Sequence, residues 1–311
     1  MRIVVAGGSG MIGRRLVDSL VGDDHSVDVL TRSARQTERR LPRGARAVEW
    51  RVEPSRELAR LLEGADAVVN LAGVSIGPRP WTRARKRAIR ASRLAATAAL
   101  TDALAMTAPE RRPAVLVNAS GTDVYTGRDT EPATEATEPA DDFLARVCVD
   151  WEAAAREAEG LGVRVAIVRQ AFVLAPDAPV LALMALPFRL FLGGRLGSGR
   201  QWFSWIHIDD LVAIYRRAID DPALSGPINA ASPEPCRNTE FAAALGRALG
   251  RPNWLPVPAW LLRLVLRDQS TLVIGSRRAV PARAMQLAFP FRFTELERAL
   301  RDALGRGGGR E

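Results

Sequence analysis

The first thirteen residues restrict the fold more than any other stretch. Arg2-Ile3-Val4-Val5-Ala6 reads as a short, buried β-strand, and Arg14 to Val21 reads as a helix. Between them stands Gly7-Gly8-Ser9-Gly10-Met11-Ile12-Gly13, in which glycines 7, 10 and 13 give GxxGxxG and glycines 8, 10 and 13 also satisfy GxGxxG. Glycine is needed there for a tight turn off the strand, for close approach of the backbone to a pyrophosphate, and for helix–strand packing. The helix N-terminus then points unpaired N–H groups and a positive dipole end at the phosphates. The whole turn, residues 7–13, is therefore a candidate dinucleotide-binding segment.

Alternation of strand and helix patterns continues through the first half. Ser26 to Leu30, Ala45 to Trp50, Ala67 to Asn70, Ala114 to Asn118 and Val163 to Arg169 read as strands two to six. Glu57 to Leu62, Thr82 to Met106 and Ala140 to Gly160 read as helices, the last closed by its glycine. This rhythm predicts an α/β fold, a Rossmann-type doubly wound parallel sheet with helices on both faces and ligands at the carboxyl ends of the strands. Residues 1–172 form the expected dinucleotide-binding domain, to which some later segments return. Residues 173–252 are expected to supply the substrate side and extend the sheet, 253–304 a smaller, mainly helical C-terminal region, and 305–311 a flexible tail.

The end of strand two selects between nicotinamide cofactors. An acidic residue there bonds the ribose hydroxyls of NAD, whereas arginine accommodates the 2′-phosphate of NADP. The strand runs into Thr31-Arg32-Ser33-Ala34-Arg35, and its only carboxylate, Asp28, lies inside it. Thr31, Arg32 and Arg35 are accordingly expected to hold NADP(H), with Ser33 as a further donor.

Composition narrows the partners. Of 311 residues, 47% are hydrophobic and 25% charged, as in ordinary globular proteins. No apolar run is long enough to span a membrane, and the chain enters its first strand too early for a signal peptide. Cys148 and Cys236 are too far apart in sequence to suggest a disulfide framework, so the cytoplasm is the expected compartment. The net charge of +9 rests almost wholly on arginine, since Lys86 is the only lysine. The densest cluster (Arg83, Arg85, Lys86, Arg87, Arg90, Arg93) falls on a helix at mixed spacing and reads as a solvated face. Neither nucleic acid nor a membrane is an expected partner; a small-molecule substrate is.

Further segments carry a resemblance. Asn70-Leu71-Ala72-Gly73 is similar to the turn that flanks the cofactor in short-chain dehydrogenases/reductases, and Trp205-Ile206-His207-Ile208-Asp209-Asp210 resembles a segment of their extended, epimerase-like branch. Phe143-Leu144-Ala145-Arg146-Val147-Cys148 leading to Trp151-Glu152 is more specific, as is Gly197-Ser198-Gly199-Arg200-Gln201-Trp202-Phe203-Ser204-Trp205. With Gly226-Pro227-Ile228-Asn229 and Pro256-Val257-Pro258-Ala259, these resemble the atypical epimerase family, the 39U-type short-chain dehydrogenases/reductases that carry a C-terminal domain of unknown function. The resemblance covers nearly the whole chain. It implies NADP-type binding, with Leu71, Ala72 and Gly73 beside the cofactor, and a homodimer through the two long helices flanking strand five.

The catalytic pattern departs from the family's. A standard member has a Tyr-x-x-x-Lys pair on the helix after strand five, tyrosine as general acid/base and lysine lowering its pKa. Counting back from Glu152, those positions hold Leu144 and Cys148, which cannot do that work. Ser120 occupies the position of the carbonyl-polarising serine, with Thr122 as an alternative. Tyr125, in the loop after strand five, reads either as a packing residue or as a displaced proton donor with Asp123 nearby; Ser120 and Tyr125 are thus the catalytic candidates. Where sugar-nucleotide epimerases carry a diphosphate-gripping arginine, this chain has Phe203; Arg200 is three residues earlier. Trp202 and Trp205 make the surroundings apolar, so Arg200, Trp202 and Trp205 join Thr122 as substrate-side candidates for a small, partly apolar ligand. His207 reads as structural, Cys148 as a small residue facing core or pocket, and no metal site is expected. An NADP-binding oxidoreductase or epimerase-like enzyme leads; a non-catalytic NADP(H) sensor and a nucleotide-sugar epimerase stay open.

Overall fold

The computed structural model describes residues 1–77 and 79–305; residues 306–311, most of the expected tail, lie outside them. Seven parallel strands form the main sheet: β1 (Arg2–Ala6), β2 (Ser26–Thr31), β3 (Ala45–Glu49), β4 (Ala67–Asn70), β5 (Val115–Gly121), β6 (Arg164–Gln170) and β7 (Gly226–Ala230). Their order is β7-β6-β5-β4-β1-β2-β3. Helices of eight or more residues are α1 (Met11–Gly22), α2 (Arg83–Met106), α3 (Phe143–Arg156), α4 (Pro179–Arg189), α5 (Ile208–Asp220), α6 (Asn238–Leu249), α7 (Ala259–Leu266) and α8 (Leu296–Ala303).

The strands are apolar on both faces because helices cover both. Ile3 and Val5 point into one core with Leu16 and Leu20 of α1 and Leu211 of α5. Val4 and Ala6 point into the other with Leu100 and Leu104 of α2. The chain builds β1, β2 and β3 outward, then crosses back to place β4 on the other side of β1, with Ile3 level with both Val27 and Ala67. That reversal opens a cleft at the carboxyl ends of β1 and β4.

Two helix boundaries differ from the sequence reading, for local reasons. Asp142 caps α3, its Oδ1 accepting from Ala145 N at 2.8 Å, so the helix starts at Phe143. Its end is a 3-10 turn, Glu157–Leu161, stopped by Gly162 in the left-handed region (φ +80°). Strand β7 lies in the stretch where the sequence pattern loosens. It pairs with β6 from Gly226↔Ala166 to Ala230↔Gln170 and completes the sheet edge.

Smaller pairings bring the last third of the chain over the carboxyl ends of the strands. Arg277–Ala279 runs parallel to Arg128–Ala133, and Trp202–Phe203 pairs with Cys236–Arg237. Asp210 of α5 accepts the backbone N–H groups of Arg292 and Phe293 at 2.8 and 2.9 Å. His207 caps α5 by accepting from Asp209 N, faces Asp302 through Nε2 at 3.1 Å and stacks on Phe293. His207 and Asp210 thus tie the C-terminal segments to the sheet.

Candidate functional site

Strand β1 ends in Gly7, whose φ of +79° is one that L side chains rarely adopt. A Cβ there would also stand 2.8 Å from the carbonyl carbon of Leu71, in the turn that leaves β4. A Cβ at Gly13 would lie 2.4 Å from Gly7 O, so α1 begins directly against the turn. Gly10 is the N-cap of helix α1 and brings no side-chain cap, and the first turn holds no acid, which leaves the N-terminal amides free for an anion. Asn70 braces the opposite wall: its Oδ1 accepts from Ala72 N at 3.1 Å, and its Nδ2 donates to Thr97 and Asn118.

Two cavities meet over this turn and share Gly7, Gly10, Leu71, Gly73 and Ser75. The larger, about 960 Å³, takes in Ser9, Thr31, Arg32 and Ala72. Arg14, Arg40, Arg79 and Arg85 also reach it, and no Asp or Glu is among its described lining residues. Arg35 points elsewhere and is exposed; Arg40, one turn beyond the short helix Ala34–Glu38, stands on the wall in its place. Gly8 lines neither cavity and packs under Val29.

The second cavity, about 440 Å³, lies beyond Met11, Ile12 and Gly13. Ser120, Thr122, Asp123, Cys148, Trp202 and Phe203 line it, with an apolar wall from Phe172, Val180 and Met184. Two arginines that the sequence did not single out stand on it as well, Arg93 and Arg277. Arg277 Nε lies 2.9 Å from Asp123 Oδ1, an ionic contact without hydrogen-bond alignment. Arg93 donates to the carbonyls of Val74 and Ile89, and burial lowers its pKa from the ordinary arginine value. The expectation of a wholly solvated face on α2 is thereby corrected: Arg85 and Arg93, on the side of the buried Ile89, turn inward.

Three other expectations are corrected here. Arg200 is exposed and off the cavity, with its carbonyl accepting from Arg237. Trp205 is fully buried in the core, because after Ser204 the strand Trp205–His207 pairs with Phe172–Leu174 and leaves the cavity rim that Trp202 and Phe203 form. Tyr125 is also fully buried and does not line the cavity.

Tyr125 instead closes a buried polar chain that starts at the cavity wall. Ser120 Oγ donates to Glu152 Oε1 at 2.7 Å. Arg169 on β6 grips the same carboxylate through Nε at 2.8 Å and Nη2 at 2.7 Å. Its Nη1 donates to the Tyr125 hydroxyl, which donates to Asn229 Oδ1 at 3.0 Å. Burial pushes the Tyr125 phenol up to about 12, despite the opposing pull of Arg169. A displaced acid/base tyrosine would need the opposite, contact with the cavity and a lowered pKa. Tyr125→Phe is expected to cost about 1–3 kcal/mol, because Arg169 and Asn229 each lose a buried partner. Thermal melts should record that loss while NADPH affinity stays at the parent value.

Cys148, at the position of the absent lysine, is a neutral group: burial pushes its thiol up to about 12. With Asp123 and Glu152 beside it further disfavouring a thiolate, it offers the cavity volume and no charge.

A glycine-turned, all-parallel sheet with a two-lobed cleft at its switch point defines a Rossmann-type dinucleotide-binding fold. Residues 3–231 match the NAD dependent epimerase/dehydratase family, to which the chain belongs. Residues 257–303 match a domain of unknown function, DUF1731. Among relatives, the Arabidopsis thaliana "Epimerase family protein SDR39U1 homolog, chloroplastic" is 39% identical over 308 residues, 97% of this chain and 86% of that one. Epimerase family protein YfhF of Bacillus subtilis is 34% identical over 304 residues, 96% of this chain and 97% of that one. The crystal structure of human epimerase family protein SDR39U1 (isoform 2), solved with NADPH, superposes with a TM-score of 0.85 at 32% identity. The match covers 98% of this chain and 99% of that one. No helix of the described residues is long and apolar enough to cross a membrane.

Proposed function

We propose that the chain binds NADP(H) across the two cavities and acts as an oxidoreductase on a small carbonyl or alcohol held beside Ser120. One observation carries the reading: the larger cavity brings arginines 14, 32, 40, 79 and 85 together with no carboxylate among its described lining residues, and it meets the Ser120 cavity over the N-terminus of α1. In the human relative the crystallised ligand is NADPH. Here the first amides of α1 would take the pyrophosphate, and Arg32, Arg40, Thr31 and Ser33 the 2′-phosphate. Leu71, Ala72 and Gly73 would border the cofactor at the junction of the cavities. When bound, the nicotinamide gives or takes a hydride.

The chain's own groups do the rest. Ser120 donates its proton to Glu152, so towards the cavity its oxygen acts as an acceptor, for the neighbouring Cys148 thiol and for a substrate hydroxyl. Arg169 fixes Glu152, so the serine hydroxyl is held in one orientation. In the other direction Arg277 and Arg93 stabilise the negative charge that a carbonyl oxygen takes as hydride arrives, and Asp123 on the same wall carries the proton between that oxygen and solvent, taking it up when the alcohol is oxidised and returning it on reduction. Both free cysteines are buried, which suits a reducing compartment such as the cytoplasm.

Arg32→Asp tests the cofactor. It should weaken NADPH binding by about ten- to a hundredfold, as loss of charge-assisted bonds does, and NADH binding far less. Equal losses for both in calorimetry, or no heat from either with the parent protein, refute the reading. The burial of Tyr125 favours a second reading, a protein that binds the dinucleotide and reports its redox state. Stoichiometric NADPH binding with no oxidation across an aldehyde and ketone panel selects it.

A further inference from the structure

We propose that the reaction cavity continues into a slot for the hydrocarbon tail of the substrate, so that the ligand is an amphipathic carbonyl or alcohol with an extended apolar chain. The inference rests on the proposed function for the position of the oxygen-bearing head. The slot, about 240 Å³, shares Gly77, Val180, Met184, Leu272 and Val273 with the Ser120 cavity, so the two spaces adjoin at these side chains. It runs between α4 and α6, floored by the buried Phe188, Phe241 and Leu245. At its far end Leu183 and Leu192 are 56% and 48% exposed, so it reaches the surface.

Its lining favours an apolar occupant. No charged or histidine side chain is among its described lining residues. The polar side chains there are Asn238 and Gln269, and both are engaged with backbone. Asn238 Oδ1 accepts from Leu196 N at 2.8 Å, and Gln269 Nε2 donates to the carbonyls of Ile76 and Gly77. A sugar or phosphate entering the slot would lose its hydration without replacement, whereas methylene groups gain by leaving water. The contrast with the arginine-lined cavity is direct: one lobe is built for phosphate, this one for hydrocarbon. The helices that line the slot carry further exposed apolar side chains, Leu186 and Leu190 at the end of α4 and Trp260 and Leu264 on α7, whose last residue, Leu266, is part of the lining.

The test uses the full chain and a ketone series from hexan-2-one to dodecan-2-one, titrated by calorimetry with and without saturating NADPH. Affinity is expected to rise about fourfold per added methylene and then level off once the slot is full. Ala242→Phe, which places a ring in the slot, should make the rise stop at a shorter ketone while NADPH affinity is unchanged. Should that variant fail to fold, Leu183→Trp at the exposed end should truncate the rise at the longer ketones. Affinity independent of chain length, or the same rise in the parent and both variants, overturns the slot. A flat profile in a sample that sediments as a dimer, and as a monomer with Leu264→Asp, assigns the face to a second copy instead. Loss of NADPH heat alone refutes the cofactor reading and leaves the ketone series, read without cofactor, to judge the slot.

Discussion

Glu152→Gln is expected to lower stability by about 3–5 kcal/mol and the melting temperature by roughly 10 °C. The reason is the setting of its partner. Arg169 and Glu152 both have side chains only 7% exposed, and the carboxylate takes two bonds from the guanidinium and one from Ser120. Burial disfavours the Arg169 charge, yet the Glu152 hydrogen bonds and charge outweigh it and raise its pKa. An amide leaves that charge without its counter-ion, in a site water does not reach. The double variant Glu152→Met with Arg169→Met should recover most of the loss, because two apolar side chains leave no unpaired charge. A single variant that melts within about 2 °C of the parent would show that the pair carries no such weight.

Gly13→Ala is the second large expected effect, on binding rather than on melting. The added carbon would stand 2.4 Å from Gly7 O and 2.6 Å from Gly8 Cα, and both are backbone. Neither can yield as the tip of a side chain can, so the first turn of α1 must move away from the glycine bend. Displacements of about 1 Å at such a site cost on the order of a hundredfold. NADPH affinity should therefore fall by about that factor in fluorescence titration, with circular dichroism unchanged. Gly22→Ala, in open space at the other end of α1, provides the control. Equal affinity for Gly13→Ala and parent would detach the bend from cofactor binding.

These two variants differ in how much of their reasoning was visible beforehand. The bend was legible because its cause is local: three glycines at fixed spacing, a strand before and a helix after. The parallel sheet was legible too, since the strands between Arg2 and Gln170 are short apolar runs separated by helical periods. Strand β7 was harder, because Gly226-Pro227-Ile228-Asn229-Ala230 is too short and too rich in glycine and proline to announce a strand. The buried chain from Ser120 to Asn229 was not legible. Its members come from β5, α3, β6, β7 and the loop holding Tyr125, and only their assembly shows that the tyrosine faces Arg169 and not the cavity. Arg277 was hidden for the same reason, since Asp123 meets it only through the pairing of Arg277–Ala279 with Arg128–Ala133. Arg93 was hidden by abundance: among six basic residues on α2, nothing local marks Arg85 and Arg93 as the ones that turn inward. Trp205 shows the limit of reading a motif as a block, because the chain changes partner strands at Ser204: Trp202–Phe203 pairs with Cys236–Arg237, whereas Trp205–His207 pairs with Phe172–Leu174 and takes the tryptophan into the core.

The late position of β7 bears on synthesis. A ribosome that has released only residues up to 225 has delivered the other strands of the sheet but not the one that pairs with β6. Until Gly226–Ala230 emerges, the backbone of Ala166–Gln170 is an open edge, the kind that recruits strands from other chains. Truncated translation products ending before this point should therefore be taken up by chaperones or aggregate, and the full-length chain should fold after synthesis rather than during it.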